Sequence, residues 1–254
     1  MKKILIISLF FISSIFANNT IIIGTTPTPY GEIIKFTEPL FAEKGYKVIH
    51  KEFSDYITPN LALAEKELDA NLYQHQPFLD DFNQNRKTNI AGLEPIVLVP
   101  MAVYSNKFKS LDNIKKGALI AIPNDPTNES RALELLEKAG IISFKNVSLK
   151  TPLDIKSNPN KLRFKEVKAA QTTRALDDVD YALIPTNYAL GAGLNPLKDG
   201  LFIEDNTSRF AIIIAVREED KNSKKTKIIQ EVLKDPRVAK YINDTFKGSV
   251  IPTF

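Results

Sequence analysis

His50 and His75 are the only histidines in the 254 residues, and there is no cysteine, which leaves few ways to assemble a catalytic centre. Thiolate metal sites, a cysteine nucleophile and a disulfide framework have no residues to build them. The patterns HExxH, CxxC, GxSxG, GxxxxGK[ST] and GxGxxG are absent, and neither histidine has a second metal ligand at helical spacing. No enzymatic activity, cofactor or metal is expected. The chemistry left is recognition, and two stretches carry it.

In the run Asp69-Ala-Asn-Leu-Tyr-Gln-His-Gln-Pro-Phe78, a strand ends and Pro77 can open a helix. Alternation along that strand turns Tyr73 and His75 to one side, a ring and an imidazole facing one cavity, with Phe78 and Phe82 one helical turn apart. The competing reading makes Tyr73, Phe78 and Phe82 ordinary core and His75 a satisfied half-buried histidine, and residue statistics favour it. The second stretch, Pro123-Asn-Asp-Pro-Thr-Asn-Glu-Ser-Arg131, leaves a strand and enters a helix, where free amides and the helix dipole favour an anion. Arg131, in the first or second turn, is placed to grip a carboxylate through two parallel hydrogen bonds. Spacing equally allows a solvated Arg131 paired with Glu134.

Positioning these residues requires alternating strands and helices. Ile21 to Gly24, Lys47 to Phe53, Ala118 to Ile122, Arg163 to Val167 and Tyr181 to Ile184 read as strands. Gly31 to Lys44 and Ser130 to Ala139 carry apolar residues at helical spacing; Asp125 or Thr127 can cap the second helix, Pro126 suits its first turn and Gly140 its stop. The alternation predicts an α/β protein with sheets covered on both faces. Two long apolar strands far apart in sequence, Pro95 to Tyr104 and Phe210 to Val216, are candidate hinges. If the chain leaves one lobe through the first and returns through the second, residues 18–98 and 209–254 form lobe 1, with a helical region over Lys225 to Phe246, and 99–208 form lobe 2. A ligand would then lie between the lobes.

Lys2 and Lys3 precede an apolar run from Ile4 to Phe16 and then Ala17, the order of a signal peptide over residues 1–17. The run is too short for a stable bilayer span. With a formal charge of +4 and acids and bases interspersed, no nucleic-acid partner is expected.

Several of these segments together resemble the MetQ/NlpA family of methionine-binding proteins, which serve ABC importers. The matching stretches run through nearly the whole chain after the leader. They are Gly24-Thr-Thr-Pro-Thr-Pro-Tyr-Gly-Glu-Ile33, Asp55-Tyr-Ile-Thr-Pro-Asn60, the Asp69–Phe78 run, Tyr104-Ser, Ile122-Pro-Asn-Asp-Pro-Thr-Asn128 with Arg131, Asn187-Tyr-Ala189 and Lys198-Asp-Gly200. The resemblance implies a two-lobe periplasmic-binding-protein fold of type II-like topology, its lobes joined by two hinge strands. It assigns carboxylate binding to Arg131 and an aromatic box around the ligand side chain to Tyr56, Tyr73 and Phe78, with His75 beside them. Asn187 belongs to the same set, and Tyr30 stands where many members have a histidine. A thioether in such a box gains roughly 0.3 to 1.5 kcal/mol per ring contact.

Three departures from the family pattern fall at the same site or at the anchor. Members place asparagines, implicated in holding the ligand's polar end, where this chain has Pro185 and Ile212, neither of which offers a side-chain hydrogen bond. Val99 replaces a residue that is aromatic or acidic in many members. Asn18 stands in Ile15-Phe-Ala-Asn18 at the place of the lipobox cysteine, from which an unlipidated protein diffusing freely in the periplasm is expected. The implied function is capture of methionine or a related small carboxylate, amine-modified or peptide-linked forms included, by a monomer that delivers it to an ABC permease and its ATPase. The other reading is a surface-exposed adhesin or antigen that keeps the fold without transport.

Overall fold

The computed structural model describes residues 19–254, so the leader expected over 1–17 lies outside the described residues. In chain order the strands are β1 (Thr20–Thr25), β2 (Lys47–Glu52), β3 (Ala70–His75), β4 (Ile90–Leu98), β5 (Met101–Tyr104), β6 (Leu119–Pro123), β7 (Ser143–Phe144), β8 (Ile155–Ser157), β9 (Arg163–Val167), β10 (Tyr181–Pro185), β11 (Phe202–Ile203), β12 (Ile212–Arg217) and β13 (Ile251–Pro252). The α-helices are α1 (Glu32–Glu43), α2 (Thr58–Ala64), α3 (Gln76–Arg86), α4 (Pro126–Lys138), α5 (Thr172–Ala175), α6 (Thr186–Gly191), α7 (Pro196–Asp199), α8 (Lys224–Leu233) and α9 (Pro236–Phe246).

Two main sheets share these strands. The first has the order β13-β4-β12-β3-β1-β2 and the second β11-β5-β10-β6-β9; β7 and β8 form a separate pair. Within the first sheet β1 runs parallel to β2 and β3, whereas β12 is antiparallel to both neighbours, β3 and β4. The inner strand β3 is buried along its whole length, consistent with helices on both faces, while the edge strand β2 exposes Lys47 and Glu52, charges that deter pairing with another chain. Ile33, Ile34, Leu40 and Phe41 make the buried face of α1, spaced as a one-sided helix requires. Each such side chain contributes about 1.5–3 kcal/mol on leaving water.

The chain crosses from the first sheet to the second at Val99 and Pro100, between β4 and β5, and returns between β11 and β12. The first crossing lies within the apolar segment Pro95 to Tyr104, whereas the second passes through the polar stretch Glu204 to Arg209 and only then reaches Phe210 to Val216, most of which is β12. The five strand readings end within a residue of the observed ends, whereas Pro95 to Tyr104, read as one strand, is the end of β4 and then β5, broken at Val99 and Pro100. The second helix begins at Pro126 with Asp125 as its cap, as the capping residues indicate, Asp125 accepting a hydrogen bond from Asn128 N at 3.0 Å. The stretch from Lys225 to Phe246 is two helices, broken where Asp235 caps a new start and Pro236 takes the first turn. Both helices pack on α1.

Candidate ligand-binding site

The cavity between the two sheets is built from strand ends and helix starts. β3 delivers Tyr73, Gln74 and His75 to its wall, and α3 follows at once with Phe78. Pairing of β12 with β3 sets Ile212 opposite His75, and pairing with β4 sets it opposite Val97, two residues before the lining residue Val99. From the second sheet, β10 ends at Pro185 and α6 begins with Asn187 in its first turn, while α4 supplies Asn128 and Arg131. Tyr30, in the kinked turn before α1, and Tyr56, before α2, close the remaining sides. All ten positions singled out in the sequence line this one cavity, whose volume of about 20 Å³ is room for little more than a water molecule as the lobes stand.

Three rings form one wall. The centroids of Tyr56 and Tyr73 lie 5.9 Å apart, those of Tyr56 and Phe78 5.9 Å, and those of Tyr73 and Phe78 6.3 Å, with Phe78 edge-on to both. Hydroxyls fix the rings: Tyr73 donates to the Tyr56 carbonyl and Tyr56 donates to Asn187 Oδ1, each at 2.7 Å. The second bond ties the two lobes together. Burial pushes the hydroxyls of Tyr30, Tyr56 and Tyr73 up, so all three stay protonated donors. Phe82 stands apart, packed with Leu79 and Leu63 in another cluster, so the core reading holds for that ring.

His75 is neutral and its tautomer is set by its partners. Nδ1 accepts from Phe78 N at 3.1 Å, capping α3, which leaves the proton on Nε2 to be donated to Asn128 Oδ1 at 3.3 Å. Burial first, and the Arg131 charge second, push its pKa down to about 3. His50 lies elsewhere, on β2, with Nε2 2.6 Å from Thr25 Oγ1.

Arg131 does not pair with Glu134, the partner within the chain that its spacing allowed. Glu134 is taken by Arg209 at 2.8 Å and by Ser130 at 3.0 Å. Arg131 pairs instead with Glu204, in the segment returning to the first sheet: Nε lies 3.1 and 3.2 Å from the two carboxylate oxygens, and Nη2 bonds the same carboxylate and the Val99 carbonyl, the latter at 3.0 Å. Nη1 makes no hydrogen bond among the described residues. Phe210 supports the guanidinium from below, 4.8 Å from ring centroid to Cζ. Burial alone would raise the Glu204 carboxyl, yet the Arg131 charge and hydrogen bonds outweigh it and hold the group below its usual value. Sequence reasoning missed Glu204, Phe210, Gln74 and Asn128. Gln74 and Asn128 carried a signal, as parts of the stretches Asp69–Phe78 and Ile122–Asn128.

An α/β molecule with two sheet-centred lobes, two crossings and an aromatic and cationic cavity between them is a two-lobe substrate-binding protein of the periplasmic type. The chain belongs to the NlpA lipoprotein family, whose model matches residues 21–254. It is 38% identical over 238 residues to the D-methionine-binding lipoprotein MetQ of Salmonella typhi, covering 92% of this chain and 88% of that one. Among solved structures it matches a nutrient-binding protein of Burkholderia cenocepacia bound to methionine, with a TM-score of 0.90, 42% identity, and coverage of 92% of this chain and 100% of that one. A periplasmic substrate-binding protein of an ABC transporter from Coxiella burnetii matches with a TM-score of 0.89 at 41% identity, again over 92% and 100%. These relatives are binding proteins by name.

The comparisons correct one expectation. A freely diffusing, unlipidated protein was inferred from Asn18 and the absence of cysteine, but the matching family and the Salmonella relative are lipoproteins by name. The cysteine count describes the residues and does not carry the localisation.

Proposed function

We propose that this protein is the ligand-capturing component of an ABC importer, taking methionine or a closely related small carboxylate between its lobes and passing it to a permease driven by an ATPase. No covalent step is involved, and a single chain suffices for the site. The observation that carries this reading is the meeting, in one interlobe cavity, of the Tyr56–Tyr73–Phe78 ring wall with Arg131 from the opposite lobe. Polarizable sulfur suits the ring wall, and a carboxylate suits a guanidinium with a free nitrogen. A ligand touching both walls favours the closed arrangement over an open one by its difference in affinity for the two.

Calorimetric titration with L-methionine tests the reading. Saturable binding is expected, weakened about 100-fold by Arg131→Ala, as for the loss of charged hydrogen bonds. No heat of binding from the wild type with millimolar methionine or N-acetylmethionine, or unchanged affinity in the variant, contradicts it.

A further inference from the structure

The Arg131–Glu204 pair gives this site a charge property that its lining alone does not reveal. Arg131 is 3% exposed and Glu204 10%, so the pair is nearly dry. Both oxygens of Glu204 are committed: beyond Arg131, they accept from Met101 N at 3.0 Å and from Ser208 Oγ at 2.8 Å. Among the residues lining the cavity, Arg131 is the one bearing charge, because His75 is neutral and no aspartate or glutamate is present. Its charge is balanced by Glu204, which is not itself among the lining residues.

We infer that Glu204 is a positioning and specificity residue of this site, holding Arg131 by its Nε and Nη2 edge, leaving Nη1 for a ligand carboxylate, and setting the site's fixed charge to zero. The inference rests on the proposed reading of the cavity as a methionine-type site. Its consequence concerns the ligand's net charge. An anion enclosed here would leave one uncompensated negative charge in a nearly dry space, whereas a zwitterion of the same shape brings its own balance. A free amino acid is therefore preferred to its amine-blocked or amine-free counterpart, even though Pro185 and Ile212 offer the ammonium no side-chain partner. The Tyr30 hydroxyl, which makes no hydrogen bond among the described residues, and Asn128 Oδ1 remain as acceptors on the wall.

The test titrates wild type, Glu204→Gln and Glu204→Asp with L-methionine and with 4-(methylsulfanyl)butanoate, which keeps the side chain and carboxylate but lacks the amine. Wild type is expected to favour methionine by about tenfold or more. In Glu204→Gln, Arg131 loses its counter-ion, so binding of the butanoate rises and the preference falls by about tenfold; Glu204→Asp, which keeps the charge, retains the preference. Equal weakening of both ligands in Glu204→Gln would reduce Glu204 to a structural support and overturn the inference. A wild type that binds the butanoate as tightly as methionine overturns it without any variant. Binding of neither ligand by wild type removes the methionine reading itself, and this inference with it.

Discussion

At the scale of single residues, the site depends on groups whose protonation is set by packing. His75 illustrates the sign of that dependence. Its pKa is about 3 in the folded protein against about 6.5 in an unfolded chain, so between those values the unfolded state binds more protons. The stability this neutral histidine contributes is complete above pH 6.5 and is lost progressively as pH falls toward 3, by at most about 1.4 kcal/mol per pH unit. The melting temperature of the wild type should drop between pH 6.5 and 5 more steeply than that of His75→Asn, which can still cap α3 through its side-chain oxygen. Parallel curves would mean that His75 is not buried neutral. Alternation along a strand set Tyr73 and His75 on one face, and the family resemblance, not the spacing, turned them from core toward a ligand. The sequence could not reveal Glu204, since a partner 73 residues away obeys no local spacing and Glu134 stood three residues along the same helix.

The strands and helices were legible wherever a local signal was strong, and misread where one signal masked another. Asp125 and Pro126, a cap and a first-turn residue, made the start of α4 legible four residues ahead of its apolar stretch at Ser130. The break between α8 and α9 was hidden because both share one apolar face toward α1, while Asp235-Pro236 interrupts the backbone without interrupting the pattern. The α4 cap matters to function as well as folding. Asp125 Oδ1 accepts from both the backbone and the side-chain nitrogen of Asn128, the latter at 2.9 Å, and three residues further on is Arg131. Asp125→Ala should lower stability by about 1 kcal/mol in denaturant unfolding and weaken methionine binding in the same protein. Loss of stability with untouched affinity would separate the cap from the site.

In the molecule as a whole, the two-lobe plan was read from two apolar segments far apart in sequence; the first holds a crossing between the sheets, while the second is largely β12, which follows the return crossing. What sequence could not supply is the contact across the cleft. Tyr56 donates to Asn187, Tyr188 lies 5.1 Å from Tyr56 between ring centroids, and His75 meets Asn128, all pairs more than 50 residues apart. Such contacts arise only once the two lobes face each other. They hold the lobes together around the cavity proposed to receive a small amino acid. Native mass spectrometry of freshly purified protein tests this most directly. The account predicts that wild type carries, or takes up on incubation with methionine, one adduct of that mass per chain, and that Arg131→Ala carries none; a wild type that stays empty after millimolar methionine would contradict it.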